Sequence, residues 1–200
     1  MAGVPFVGLT GGLGAGKSEA LRALGELGAA TLSTDAVVHE LLAGDELRAI
    51  VVARLGDAVA PGGTLDRALI AERVFGDDEA RRWLEGELWP RVGQRVVEWR
   101  QQVEELDPAP PAAVVEVPLL FESGMEPVFD ATIAVVADEH VRAERAGARG
   151  HAAVAERTGR QLSQEEKAER ADFEVRNDGS LDELRQTLSR VLARLDQPPP

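Results

Sequence analysis

The sequence predicts an α/β fold: a five-stranded parallel sheet in three layers, with a helical insertion and a helical lid. Three observations predict it. Short apolar, β-prone runs alternate with stretches of helical periodicity along the 200 residues. A glycine-rich stretch with the spacing Gly11, four residues, Gly16-Lys17-Ser18 falls between the first such run and the first such helix. Within a chain of formal net charge -13, residues 142–170 reverse the sign, with Arg142, Arg145, Arg149, Arg157, Arg160, Lys167 and Arg170 outnumbering the acids.

The first strand is Val4-Pro5-Phe6-Val7-Gly8-Leu9, and the helix after the loop carries Ala20, Leu21, Leu24 and Leu27 at helical spacing. Strand, glycine loop and helix in that order are the setting of a phosphate-cradling P-loop, so the fold class is P-loop NTPase-type. The chemistry asks for each residue. Glycines let peptide N–H groups face a polyphosphate at a helix N-terminus. Lys17 adds a mobile charge for the β- and γ-phosphates, and the Ser18 hydroxyl can enter a Mg2+ shell. The bland alternative is a glycine turn with Lys17 as a surface charge. Composition argues against it, because only Lys17 and Lys167 among 22 basic residues are lysines. A dinucleotide fingerprint fails, since Lys17 stands where its third glycine belongs.

Gly28-Ala29-Ala30-Thr31-Leu32 reads as the second strand, and Ser33-Thr34 cap a helix through Val38 and Leu41-Leu42. Asp35, in that first turn past a strand's carboxyl end, is a candidate to orient and deprotonate a substrate hydroxyl. As an isolated acid it would merely favour the helix dipole, and the P-loop tips the reading toward the base. From Leu47 to Leu106 the pattern is helical. Leu69, Ile70, Val74 and Phe75 form one apolar face, Trp83, Leu84 and Leu88 another, and Val92, Val96, Val97 and Trp99 a third, with a break at Pro61-Gly62-Gly63. The aromatics read as core. The segment is too long for one crossover helix, so it is expected to be an insertion forming a cleft wall.

Asp107-Pro108-Ala109-Pro110-Pro111 connects to a central strand, 112–117, ending in Pro118-Leu119-Leu120-Phe121-Glu122. Glu116 either holds a Mg2+ water or is satisfied by neighbouring amides, and Leu120 and Phe121 either line the cleft or pack beneath it. Ala131–Ala137 is the fourth strand, followed by a helix with Arg142 and Arg145 on one face. The basic cluster from 142 to 170 suits a polyphosphate lid, since Arg forks bind phosphate oxygens bidentately. Its alternative is a solvated hairpin laced with pairs to Glu156, Glu165, Glu166 and Glu169. Ala171–Arg176 is the fifth strand, Asn177-Asp178-Gly179 a turn placed to contact the nucleobase, and Ser180 the cap of a final helix through Leu195. The expected division is 1–33 core, 34–108 helical substrate-binding insertion, 109–140 core, 141–170 lid and 171–200 core.

The chain has no cysteine, which excludes a disulfide framework and thiolate metal sites and suits a cytoplasmic setting. No segment has the length of a membrane span or the layout of a signal peptide. The acidic balance opposes nonspecific nucleic-acid binding. His39, His140 and His151 have no metal-site spacing.

In combination the motifs become specific. Gly8 through Ser18, Thr34-Asp35, Leu65-Asp66-Arg67 with Val74-Phe75, Val117 through Glu122, Arg157 with Gln161, and Ala171-Asp172 ahead of Asn177-x-Gly179 resemble the dephospho-CoA kinase family in the family's order. The resemblance implies transfer of the ATP γ-phosphoryl group to the ribose 3'-hydroxyl of dephospho-CoA. It implies ATP and Mg2+ as cofactors; with the acidic charge and the lack of a membrane-length segment, no nucleic-acid or membrane partner is expected, and the chain is taken as a monomer or weak homo-oligomer. By that similarity Asp35 matches the base, Lys17 the phosphate-binding lysine and Arg145 a lid arginine at the triphosphate. Nucleotide contacts are expected from Gly12, Leu13, Gly14, Ala15, Gly16, Lys17, Ser18, Glu19, Arg142, Asn177 and Gly179. Acceptor contacts are expected from Asp35, Pro118, Leu119, Leu120, Phe121, Glu122, Arg157 and Gln161, with Mg2+ at Ser18. Three positions depart from the family pattern: Ser33 replaces an acid, Trp89-Pro90 replaces His-Pro, and Glu19 replaces Thr. Another small-molecule kinase on this scaffold is the nearest alternative, and a nucleotide-dependent switch the alternative from a different class.

Overall fold

β1 (Phe6–Gly11) is buried at every position, as a parallel strand must be when it has neighbours on both edges and other layers on both faces. It pairs with β3 (Ala113–Glu116) from Phe6↔Ala113 to Leu9↔Glu116, and with β4 (Ala131–Val136) from Val7↔Ala131 to Gly11↔Val135. β2 (Ala30–Ser33) adds to β3 and β5 (Phe173–Arg176) to β4, giving a five-stranded parallel sheet in the order β2-β3-β1-β4-β5. The computed structural model describes residues 3–148 and 161–195. Its α-helices, in chain order, are α1 (Lys17–Glu26), α2 (Thr34–Ala43), α3 (Asp45–Leu55), α4 (Arg67–Val74), α5 (Asp78–Glu104), α6 (Glu139–Ala148), α7 (Gln164–Arg170) and α8 (Leu181–Leu195). No helix among the described residues is long and apolar enough to cross a membrane.

Side chains alternate across a strand, and β1 shows both faces of the sheet in use. Val7 and Leu9 enter a core closed by Ala20, Ala23 and Leu24 of α1 and by Leu184, Leu188 and Val191 of α8. Phe6, Gly8 and Thr10 face the other way. The Phe6 ring stacks on Phe129 at 4.8 Å between centroids, with the Arg100 guanidinium 4.5 Å from its centre. Thr10 Oγ1 donates to the Pro118 carbonyl at 3.3 Å. α7 lies against β4 and β1. The layers are therefore α1 and α8, the sheet, and the 118–129 turn with α7. Gly8 is where the turn comes closest: a methyl there would overlap Leu120 and stand 2.9 Å from the Phe129 ring.

Ser180 caps α8 as its sequence predicts. Its Oγ accepts from the Glu183 N–H at 3.3 Å, and Glu183 Oε2 accepts from the Ser180 N–H at 2.7 Å. That backbone donor holds the Glu183 carboxyl below its ordinary range.

Thr34–Trp99 forms a compact unit of its own, distinct from the chain on either side of it. Its core gathers Leu42, Leu47, Val51, Leu55, Val59, Leu65, Ile70 and Ala80, with Trp83, Leu84 and Leu88 packed against them. Asp66 caps α4, its Oδ1 accepting from the Ala68 and Leu69 N–H groups at 2.8 and 3.2 Å. Two expectations are corrected here. Phe75 is 66% exposed, because the backbone turns extended at that residue (φ -65°, ψ 125°) and carries the ring off the apolar stripe of α4. Val97 is 56% exposed. α5 runs unbroken through Pro90, so Val92 and Val96 share one face and Val97 lies about 100° round from it.

Gly8→Ala is expected to lower the unfolding free energy by about 1–3 kcal/mol through overpacking against Leu120 and Phe129. Chemical denaturation monitored by tryptophan fluorescence measures it, and an unchanged midpoint would contradict the close approach.

Candidate active site

The glycine loop leaves β1 at Gly11 and enters α1 at Lys17. Gly14 and Gly16 have φ of 75° and 94°, left-handed values that side chains resist. A Cβ on Gly14 would also stand 2.6 Å from the Arg142 carbonyl oxygen, and one on Gly16 would collide with the Asn177 amide. The loop's carbonyls are individually held. Arg142 Nε donates to Leu13 O at 3.0 Å, and Asn177 Nδ2 donates to Ala15 O at 2.9 Å. Lys17 Nζ donates to Gly11 O and Gly12 O at 3.2 and 3.0 Å. In a trans peptide the N–H points opposite to its C=O. With the Leu13 and Ala15 carbonyls turned to Arg142 and Asn177, the Gly14 and Gly16 N–H groups face the other side, which is the polarity an anion needs.

A cavity of about 220 Å3 flanks the loop, lined by Gly16, Glu19, Arg145, Asn177, Gly179 and Leu181. Four of those six are residues from which the sequence predicts nucleotide contacts, and Arg145 is the predicted lid arginine. Arg145 Nη1 reaches the Asn177 carbonyl at 3.0 Å. Glu19, one of the departures from the family pattern, pairs with Arg22 on its own helix. On the far side of the loop, Ser18 Oγ donates to Glu116 Oε1 at 3.4 Å, and Glu116 is 4% exposed. Of the two readings of Glu116, the hydroxyl–carboxylate pair keeps it beside the loop.

In the stretch 118–122 the buried one of the two readings holds for Leu120 and Phe121. Leu120 and Phe121, expected at the acceptor, are 0% and 6% exposed. Leu120 packs against β1 in the space that Gly8 vacates. Glu122 is drawn inward as well: its Oε1 accepts from Lys167 Nζ at 2.9 Å and from the Leu162 N–H at 3.0 Å. Lys167, counted among the lid cations, is 1% exposed and also donates to Pro118 O at 2.7 Å. It is an interior strut, and the reason is geometric, since α7 returns across the sheet face over Pro118. Pro118 and Leu119 remain half-buried. Gln161 is half-buried at the start of the second described stretch, and Asp35 is exposed as the second residue of α2. Arg149, Arg157 and Arg160 lie outside the described residues.

Sequence reasoning missed Gln164. Its amide accepts from the Ala137 N–H at 3.1 Å and donates to the Ala137 carbonyl at 2.9 Å, pairing a side chain with the backbone beyond β4. The same residue stands 3.1 Å from a methyl placed on Gly12. A glutamine opening a charged helix reads as surface, and no local signal distinguishes it. Beside it, Glu165 is held below the ordinary carboxylate range, chiefly by its own backbone N–H, then by Gln164, with the Arg142 charge contributing least.

A parallel sheet whose central strand empties through a glycine loop with inward amides into a helix defines the P-loop class of nucleotide-binding α/β protein. The family model for dephospho-CoA kinase matches residues 5–183. A dephospho-CoA kinase of Protochlamydia amoebophila is 39% identical over 193 residues, covering 94% of this chain and 95% of that protein. One of Deinococcus radiodurans is 39% identical over 201 residues, covering 95% and 92%. Among solved structures, a Thermus thermophilus protein superposes with TM-score 0.81 at 33% identity, covering 98% of this chain and 100% of that one. The dephospho-CoA kinase of Campylobacter jejuni superposes with TM-score 0.68 at 26% identity, covering 95% and 96%. The chain belongs to the dephospho-CoA kinase family.

Lys167→Met leaves the Glu122 carboxylate buried without its cation, and should cost about 3–5 kcal/mol of stability. Adding Glu122→Leu should restore much of it. Urea midpoints for the two variants test this, and a single variant as stable as the parent would refute the pairing.

Proposed function

We propose that this chain transfers the γ-phosphoryl group of ATP to the ribose 3'-hydroxyl of dephospho-CoA, giving coenzyme A and ADP. The observation that carries the reading is the loop whose Leu13 and Ala15 carbonyls are held away, leaving the Gly14 and Gly16 amides to a polyphosphate. It stands inside a family match that spans most of the chain. Lys17 is assigned to the β- and γ-phosphates and leaves the Gly11 and Gly12 carbonyls to reach them. Arg145 is assigned to the transferring group, and Gly179 with Glu19 to the walls of the nucleotide cavity. Phosphoryl transfer passes through a loose transition state, so positioning and charge neutralisation carry most of the rate.

The donor set at Ser18 and Glu116 fits magnesium, being hard oxygens 3.4 Å apart beside the loop. Among the described residues no group of three or more His, Cys, Asp or Glu gathers as a metal cage, so these two would share the ion with phosphate oxygens and water. Magnesium bound there neutralises charge on the phosphates. Asp35 is assigned to the acceptor hydroxyl: it orients the O–H and takes the proton late, which needs no raised pKa. Acceptor contacts are assigned to Pro118, Leu119 and Gln161, with residues 34–108 receiving the acceptor and Arg142 and Arg145 serving the triphosphate. The reaction is assigned to the cytoplasm.

ADP release measured with dephospho-CoA, nucleoside monophosphates, shikimate and gluconate should show turnover with the first alone. Turnover of another acceptor with silence toward dephospho-CoA would end the reading. Lys17→Ala should lower kcat by about 100-fold or more and weaken ATP binding. Asp35→Asn should lower kcat by about 100- to 10,000-fold with ATP affinity nearly intact. Parental turnover in Asp35→Asn would remove the base assignment.

A further inference from the structure

Asn177 is 5% exposed, yet it follows β5 at the sheet edge where the nucleotide cavity opens. Three of its polar groups, the main-chain N–H and C=O and the side-chain NH2, bond to backbone and to one arginine. The N–H of Asn177 bonds the Val136 carbonyl at 2.9 Å, which continues the β4 to β5 ladder and anchors the residue to the sheet. The side-chain amide donates to Ala15 O at 2.9 Å. The main-chain carbonyl accepts from Arg145 Nη1 at 3.0 Å. Gly16 leaves room for this arrangement, since a Cβ there would occupy the position of the Asn177 amide nitrogen.

A residue that read a nucleobase would aim its amide at the cavity. This one turns an amide N–H to the loop. The bond fixes the plane of the Ala15–Gly16 peptide, and the plane decides where the Gly16 N–H points. We infer that Asn177 is a positioning residue: through the Ala15 carbonyl it orients the Gly16 amide toward the phosphates, and through its own carbonyl it stations Arg145 at the cavity. It therefore sets affinity for the triphosphate whatever base is attached. Without the Asn177 donor, the Ala15 carbonyl is buried unsatisfied or rotates to find another partner. Rotation carries the Gly16 N–H with it. The inference rests on the kinase reading only in taking the loop's ligand to be a nucleoside triphosphate.

The test is calorimetric titration of the full chain with Mg-ATP, Mg-GTP and inorganic tripolyphosphate, for the parent and for Asn177→Ala and Asn177→Ser. Asn177→Ala should weaken all three by a common factor of about tenfold. Asn177→Ser, neutral and still a donor, should recover part of that loss for all three and carries the comparison if the alanine variant does not fold. Melting of the ligand-free proteins is recorded alongside, because a purely structural asparagine would lower the melting temperature and leave binding well below it unchanged. That pattern overturns the inference, and so does a loss confined to ATP with tripolyphosphate binding intact, which would make Asn177 a base contact. A parent chain that binds none of the three overturns the nucleotide site itself, and is thereby distinct from either result.

Discussion

A loop can offer its amides to an anion only if something else takes its carbonyls. Every peptide carries both groups, and turning one inward turns the other outward. Here the outward carbonyls of Leu13 and Ala15 are taken by Arg142 and Asn177, residues 129 and 162 positions further along the chain. That requirement organises the molecule. It explains why β4 and β5 flank β1 on one side, since α6 leaves β4 and the Asn177 turn leaves β5. It explains why Gly14 and Gly16 cannot carry a side chain, whose Cβ would meet the Arg142 backbone and the Asn177 amide.

The opposite face of the sheet answers a second constraint. The strand that feeds the loop must be buried on both sides, and it is covered there by the irregular 118–129 turn, whose backbone has polar groups to satisfy. Thr10 and Lys167 both donate to the Pro118 carbonyl, and Lys167 also meets Glu122, which in turn accepts from Leu162. Glu122 Oε2 has no hydrogen-bond partner among the described residues. A buried ion pair of this kind adds little net stability compared with apolar packing, but losing one partner is costly. Its contribution is to fix where α7 crosses, and with it Gln164 against the loop at Gly12.

Composition held a clue that sequence reading used only once. In a chain whose positive charge is almost all arginine, both lysines donate to backbone carbonyls, Lys17 to those of Gly11 and Gly12 and Lys167 to that of Pro118. Lys17 was legible through its motif. Lys167 was swept into a basic cluster, because charge counted along a sequence is blind to which side of a helix meets the protein. Leu120 and Phe121, for which lining the cleft and packing beneath it were both open, are buried. Their order in the chain marks a diagnostic stretch, whereas the seat of Leu120 depends on Gly8, more than a hundred residues earlier.

What the sequence by itself determined is what depends on neighbours in the chain. The strand–loop–helix order, the apolar runs of a buried parallel sheet, the cap at Ser180, and the chemistry of Gly11 through Ser18 are all local, set by spacing and side-chain type. The tertiary structure alone decided which side chains hold the loop from outside, that Lys167 and Glu122 face inward, and that Phe75 and Val97 leave the core. Those outcomes turn on contacts between distant segments. They exist only once the sheet order has brought β5 and α6 to the exit of β1, and no local pattern of residues encodes that meeting.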